Sequence, residues 1–178
     1  MQIFLIRHGE TIENTQKIIQ GQSVGGELSN RGKIQMKEIA NLIKYSLATV
    51  IYSSDVKRSL DSAEIISKEL GLINVVPMRE LRERNWGEFE GKTEKELNWN
   101  EIKLDYYNGA VNPPKGESLK EFQDRVASFL ELLKFKREES IILVTHKNFI
   151  KELILLLQSD SKTVTPLLDS KWNYQFEL

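Results

Sequence analysis

Apolar residues along the chain alternate between short unbroken runs and longer stripes of helical period. Ile3-Phe4-Leu5-Ile6 is one run, and Ile141-Ile142-Leu143-Val144, followed by Thr145, is another of the same kind. Runs this short, bounded by polar residues, read as buried strands. Val50-Ile51-Tyr52 reads as a further strand and Val75-Val76 as a weak one. Helical stripes lie between them. Met36, Ile39, Ala40, Leu42 and Ile43 follow Ser29, a fair N-cap residue. Val56, Leu60, Ala63, Ile66 and Leu70 share one face of a helix that stops at Gly71, with Lys57 and Arg58 in its first turn. Ser118-Leu119-Lys120-Glu121 has capping-box spacing. It opens a stripe of Leu119, Phe122, Val126, Phe129, Leu130 and Leu133. Residues 148–157 read as a largely apolar helix. Trp172 to Leu178 alternate strictly and read as a half-exposed edge strand.

Two stretches interrupt this rhythm. Residues 10–27 carry Asn14, Gln20, Gly21, Gly25 and Gly26 and read as a long loop, a length usually kept for function. Residues 79–117 are dense in charge, hold Trp86, Phe89, Trp99, Tyr106 and Tyr107, and close with the turn Asn112-Pro113-Pro114-Lys115-Gly116. The stretch is too short to be expected to build a core. Residues 85–117 are therefore expected to form a small lid above the sheet, inside a single domain spanning 1–178. Strands alternating with helices predict an α/β fold of three layers, α/β/α, around a mostly parallel central sheet.

Composition narrows the chemistry. The chain has 178 residues, 40% apolar and 29% charged, enough for a substantial core. Its net charge of −1 gives no general attraction to nucleic acid or to an acidic membrane, while leaving room for a local basic pocket. The absence of cysteine removes disulfides, thiolate catalysis and thiolate metal sites, and suits a reducing compartment. No signal-peptide pattern opens the sequence, and no stretch approaches the ~20 apolar residues of a membrane span. The cytoplasm is the expected location. The alternating C-terminal strand either closes the sheet or offers an edge to a second copy, so a homodimer is one expectation.

In α/β sheets, ligands bind beyond the carboxyl ends of the strands. Arg7 and His8 lie just past the first predicted strand, Ser53 and Ser54 past the second, and Thr145 and His146 past the later one. Arg58 sits one turn into a following helix. The chain's two histidines and two arginines thus gather on one rim. Such a rim suits a phosphate monoester. Guanidinium donors match phosphate oxygens, and an unprotonated imidazole nitrogen can attack phosphorus. The remaining cations and the second imidazole can stabilise charge on the equatorial oxygens. The leaving oxygen needs a proton, for which Glu80, Glu83, Glu88 and Glu90 are candidates that residue spacing does not separate. A lone histidine after a strand is more often structural than catalytic; two at matching strand ends shift the balance towards function. Gly91-Lys92-Thr93 is not a P-loop, because Gly87 stands one residue too close and two glutamates intervene. Two histidines without cysteine argue against zinc, and no carboxylate spacing points to magnesium.

Taken together, these motifs resemble the histidine phosphatase superfamily, in its phosphoglycerate mutase-like branch. Arg7-His8-Gly9-Glu10-Thr11 resembles its signature. Asn14 and Gln20-Gly21 stand where members have a phosphate-contacting asparagine and a loop Gln-Gly. Leu28-Ser29-Asn30-Arg31-Gly32 is similar to the family's Leu-Thr-x-x-Gly segment. Tyr52-Ser53-Ser54-Asp55-Val56-Lys57-Arg58 resembles the block with the second phosphate arginine. Leu81-Arg82-Glu83, then Trp86-Gly87-Glu88-Phe89-Glu90-Gly91, resembles the block with the proton donor and singles out Glu83. Gly116-Glu117-Ser118 and Val144-Thr145-His146 complete the series in family order.

The resemblance implies a phosphohistidine formed on His8. Arg7, Arg58, His146 and Asn14 would bind the phosphoryl oxygens, and Glu83 would protonate the leaving oxygen and then activate water. It implies no metal and no organic cofactor, and a small phosphate ester as partner. One departure stands out. Members usually carry glycine after the second histidine, and here Lys147-Asn148 follows. Lys147 either fills the pocket or adds positive charge for a second acidic group. The leading expectation is a metal-independent phosphomonoesterase. A mutase that returns the phosphoryl group comes second, because family mutases tend to be longer, with insertions that exclude water. A phospho-ligand-binding module without turnover comes third, supported only by Lys147.

Overall fold

The computed structural model describes residues 1–71, 74–160, 162–167 and 173–178. Its strands are β1 (Gln2–Arg7), β2 (Val50–Ser54), β3 (Asn74–Met78), β4 (Ser140–Thr145), β5 (Val164–Pro166) and β6 (Asn173–Glu177). Its helices are α1 (Ile12–Thr15), α2 (Asn30–Leu42), α3 (Lys57–Leu70), α4 (Trp99–Tyr107), α5 (Leu119–Lys134) and α6 (Lys147–Ser159). The local signals act as expected. Ser29 Oγ accepts the Gly32 N–H, Gly71 takes a left-handed conformation at φ 85°, and Ser118 and Glu121 form a reciprocal capping box.

The sheet order is β3-β2-β4-β1-β6-β5. β3, β2, β4 and β1 run parallel; β6 is antiparallel to β1, and β5 to β6. Successive strand residues face opposite sides, so each buried run feeds two cores. Ile3, Leu5, Ile141 and Leu143 pack with Phe129 and Leu133 of α5 and with Phe149 and Leu153 of α6. Phe4, Ile6, Ile142 and Val144 pack with Met36 and Ala40 of α2 and with Ala63 and Ile66 of α3. This is the three-layer α/β/α arrangement, with β4 buried along its whole length because helices cover both of its faces.

Three expectations need revision. The C-terminal strand is not at the edge: β6 lies between β1 and the three-residue β5. Alternation reports one buried face and says nothing about whether the strand's two sides are paired. Phe176 is buried and Tyr174 and Leu178 pack on the α5–α6 core, as the alternation predicts, while Trp172 lies outside the described residues. The loop at 10–27 contains a helical turn, α1, closed by a capping box between Thr11 and Asn14. Residues 79–117 do collect a small core. Trp86, Phe89 and Trp99 are buried together, with Tyr106 and Tyr107 against them and Trp86–Trp99 ring centroids 5.2 Å apart. Aromatic side chains bury enough area each for a short segment to gain a cluster of its own.

Candidate active site

The parallel register builds the site. Arg7 pairs with Thr145, and the His8 N–H donates to the Thr145 carbonyl at 3.0 Å. The next residue of each strand end, His8 and His146, is thereby brought face to edge, with ring centroids 5.2 Å apart. Gly9 is needed for close approach, not for an unusual dihedral. A Cβ there would stand 2.5 Å from the Gly32 carbonyl oxygen, so the start of α2 packs directly on the turn after His8.

The partners of each ring fix its tautomer. His8 Nδ1 lies 2.8 Å from the Gly9 carbonyl, which can only accept, so Nδ1 carries the proton. His8 Nε2 then has a free lone pair, which accepts from Arg58 Nε at 3.2 Å. In His146 the arrangement is reversed. Nδ1 faces Arg58 Nη2 at 3.1 Å, and a guanidinium only donates. His146 Nε2–H therefore points at Ser54 Oγ (2.9 Å) and Ser59 Oγ (3.2 Å). Burial, followed by the charges of Arg58 and Arg7, holds His8 well below its ordinary pKa. Burial and Arg58 do the same for His146. Both rings stay neutral, the state that leaves a nucleophilic nitrogen.

Arg58 is fully buried at the centre of this group. Its Nη1 donates to the Val24 carbonyl at 2.6 Å and its Nη2 to the Gly21 carbonyl at 2.7 Å. The loop predicted from its glycines thus turns its carbonyls inward around a cation. Gly21, at φ 51°, contributes a carbonyl to Arg58, and a Cβ there would collide with the Glu90 carboxylate at 1.9 Å. Burial pushes the Arg58 guanidinium down to about 10, still charged at neutral pH. Arg7 is half-buried, and its Nε, shielded from solvent, has no hydrogen-bond partner among the described residues. A buried cationic donor without a partner is the arrangement an anion completes.

The other predicted residues fall as follows. Asn14 Oδ1 accepts the Thr11 N–H in the α1 cap, which leaves the amide nitrogen as its remaining donor. Gln20 is buried, with Oε1 unpaired and turned towards Gly26. Glu83 is buried, and its charge acts on both Arg7 and Arg58. Its Oε1 accepts the Arg84 N–H at 2.9 Å and its Oε2 accepts the Asn148 N–H, two residues past His146, at 3.2 Å. Of the other carboxylate candidates, Glu80 is exposed, Glu88 pairs with Lys115, and Glu90 accepts the backbone N–H groups of Gln22, Ser23 and Trp86. Glu83 is therefore the candidate that the fold brings to Arg7, Arg58 and the start of α6. Lys147 begins α6 in helical conformation, so no glycine is required there. It is half-buried, and burial together with Lys151 and Arg7 lowers its pKa. Sequence reasoning placed Ser54 on the rim without a role and passed over Ser59, Tyr107 and Asn148 as site residues. Tyr107 meets the Asn148 side chain and feels the Glu83 charge, and burial raises its pKa to about 12. These last three carry no sequence signal of their own.

The neutral histidines couple stability to pH. An unfolded imidazole protonates near pH ~6.5, where the folded rings still refuse the proton. Their contribution is complete above that pH and is lost as pH falls below it, until the folded rings themselves protonate. The expected slope there is up to about 1.4 kcal/mol per pH unit for each ring. Urea titrations at stepped pH measure it. A variant with glutamine at both positions should show a shallower loss, and an unchanged slope would refute the assignment.

Among the described residues no cluster of three or more His, Cys, Asp or Glu side chains is arranged to hold a metal ion. No helix among them is long and apolar enough to cross a membrane. Comparison with known proteins agrees with the geometry. A model of the histidine phosphatase superfamily (branch 1) matches residues 3–164. Phosphoglycerate mutase-like protein 4 of Arabidopsis thaliana is 32% identical over 181 residues, covering 97% of this chain and 77% of that protein. GpmB of Escherichia coli is 39% identical over 138 residues; the match covers 74% of this chain and 62%, under two thirds, of that protein's length. The mycobacterial glucosyl-3-phosphoglycerate phosphatase solved with VO3 superposes with a TM-score of 0.76 at 27% identity, over 89% of this chain and 82% of that one. With its paired strand-end histidines and central arginine, the chain belongs to branch 1 of the histidine phosphatase superfamily.

Proposed function

We propose that the protein is a metal-independent phosphomonoesterase acting on a small phosphorylated metabolite through a phosphohistidine. The carrying observation is the unprotonated Nε2 of His8, which accepts from Arg58 and feels the charge of Arg7. His8 Nε2 bonds to phosphorus as the ester P–O bond breaks. Arg7, Arg58 and His146, with the Asn14 amide, stabilise the phosphoryl oxygens. Glu83 gives its proton to the leaving oxygen. It then takes a proton from water as the new P–O bond forms and the N–P bond breaks, restoring both residues. Residues 85–117 act as the lid, with Gln20, Gly21 and Lys147 shaping the wall of the site. A phosphoryl group returned to the substrate instead of to water would make the same site a mutase, the kind of enzyme that the Arabidopsis relative is named as being like.

The test is hydrolysis of a panel of phosphate esters, with and without a strong chelator, alongside a phosphoglycerate isomerisation assay. Turnover that persists in chelator and is inhibited by vanadate is expected. Silence across the panel would sink the enzyme reading, loss on chelation the metal-free mechanism, and isomerisation faster than hydrolysis the phosphatase assignment.

A further inference from the structure

The segment that carries Glu83 has no ladder of its own. Residues 82–86 are neither helix nor strand, yet Glu83 and Arg84 are buried, so their backbone groups must find partners elsewhere. One side chain gathers three carbonyls of the segment and its approach. Arg125, on α5, donates from Nη1 to the carbonyls of Glu80 and Arg82, both at 2.8 Å, and from Nη2 at 3.1 Å to the Glu83 carbonyl, which also accepts from Gln22 Nε2 at 2.8 Å. Its remaining donors make a two-pronged pair with Glu117, Nε to Oε1 at 2.9 Å and Nη2 to Oε2 at 2.8 Å. Glu117 is tied back to the same segment: Asn85 N–H donates to its carboxylate and Asn85 O accepts its N–H. The one carbonyl Arg125 skips, Leu81 O, accepts from Thr145 Oγ1 at 2.6 Å, beside His146.

We infer that Arg125, locked by Glu117, is the positioning residue for Glu83, fixing the carboxyl's distance from the phosphoryl site without itself touching substrate. This rests on the proposed role of Glu83 as proton donor. Four successive carbonyls, 80 to 83, are each held by a side chain from α5 or β4. The donor is therefore set relative to the strand that bears the second histidine. Only a planar guanidinium fork spans three carbonyls and a carboxylate at once. Lysine keeps the charge and loses the fork. A small displacement of an acid from its proton-transfer position forfeits much of its catalytic contribution.

The experiment compares Arg125→Lys with wild type and with Glu83→Gln over aryl and alkyl phosphates of graded leaving-group acidity. A good leaving group such as p-nitrophenolate departs without a proton, whereas an alkoxide does not. For Arg125→Lys, kcat/KM should fall about 30- to 100-fold on an alkyl phosphate and only about 3-fold on p-nitrophenyl phosphate, a steeper dependence on leaving group. Glu83→Gln should steepen it at least as much. An equal loss across the series for Arg125→Lys, with Glu83→Gln steepened, overturns the positioning role alone. A flat response from Glu83→Gln overturns the donor assignment and this inference with it. Should Arg125→Lys fail to fold, Glu117→Gln weakens the same clamp from its other side. It must then show the steepened series, and a uniform loss would refute the inference.

Discussion

Replacing His8 with alanine is expected to lower kcat/KM by about 10⁴-fold or more, a loss of roughly 5.5 kcal/mol of transition-state stabilisation. The other groups remain to bind phosphate, but no atom takes the place of Nε2. The substitution removes two hydrogen bonds, to the Gly9 carbonyl and from Arg58. The fold should survive, because Gly9 and Arg58 keep their other partners: Gly9 N–H still donates to Ser62 Oγ at 3.0 Å, and Arg58 still reaches Gly21 and Val24. Two measurements separate nucleophile from bystander. Wild-type protein quenched during turnover of a radiolabelled ester should carry label that is stable in base and labile in acid, as a phosphoramidate is. His8→Ala should carry none, with an unchanged circular dichroism spectrum. Near-normal turnover in the variant would show that attack comes from elsewhere.

The second large effect falls on activity and stability together. Arg58→Met should reduce kcat/KM by about 10³-fold or more, since it removes the cation that spans both histidines. Burying the guanidinium lowers its pKa to about 10, so at neutral pH the folded state holds a proton it binds less well than the unfolded chain does. That disadvantage is on the order of 3 kcal/mol, complete below the folded-state pKa and relieved only at strongly alkaline pH. Against it stand four charge-assisted bonds, to the Val24 and Gly21 carbonyls and to His8 and His146, each worth about 1.5–3 kcal/mol. The bonds outweigh the burial, and methionine leaves their acceptors unpaired. The melting temperature should therefore fall by about 10 °C or more. An unchanged melting temperature would mean that the arginine is a cation kept for chemistry alone and no keystone of the loop at 20–25.

Local signals carried most of the secondary structure. The apolar runs at 3–6 and 141–144, the Ser29 and Ser118 caps and the Gly71 stop each act within a few residues, and each holds in the structure. Both histidines and Arg58 were legible for the same reason, since the carboxyl end of a parallel strand is a place that apolar patterning marks. What patterning could not show is which strands are neighbours. β6 reads identically at an edge or beside β1, and the three residues of β5 are too few to make a pattern. Glu83 was not separable from Glu80, Glu88 and Glu90 by spacing, and family resemblance alone singled it out. Its carbonyl is held by Arg125, a residue on another element that reads as one more charge on an amphipathic helix. The roles of Glu117 and Glu90 were silent for the same reason, because each acts on backbone far away in sequence, and Asn148 offers its backbone N–H to the distant Glu83 carboxylate.

The pairing of β1 with β4 has a consequence for how the protein is made. Residues 2–7 find their parallel partner only in residues 140–145, and their other neighbour, β6, is made later still. During synthesis, at about 5–20 residues per second, the first strand waits on the order of ten seconds for either one. Long-range pairing of this kind must meet its loop-closure cost before any contact rewards it, which places the chain among slow folders. In the meantime Ile3-Phe4-Leu5-Ile6 is an unpaired apolar edge, open to other nascent chains. The strand that leads into His8 is thus also the segment on which chaperone dependence and aggregation during expression should concentrate.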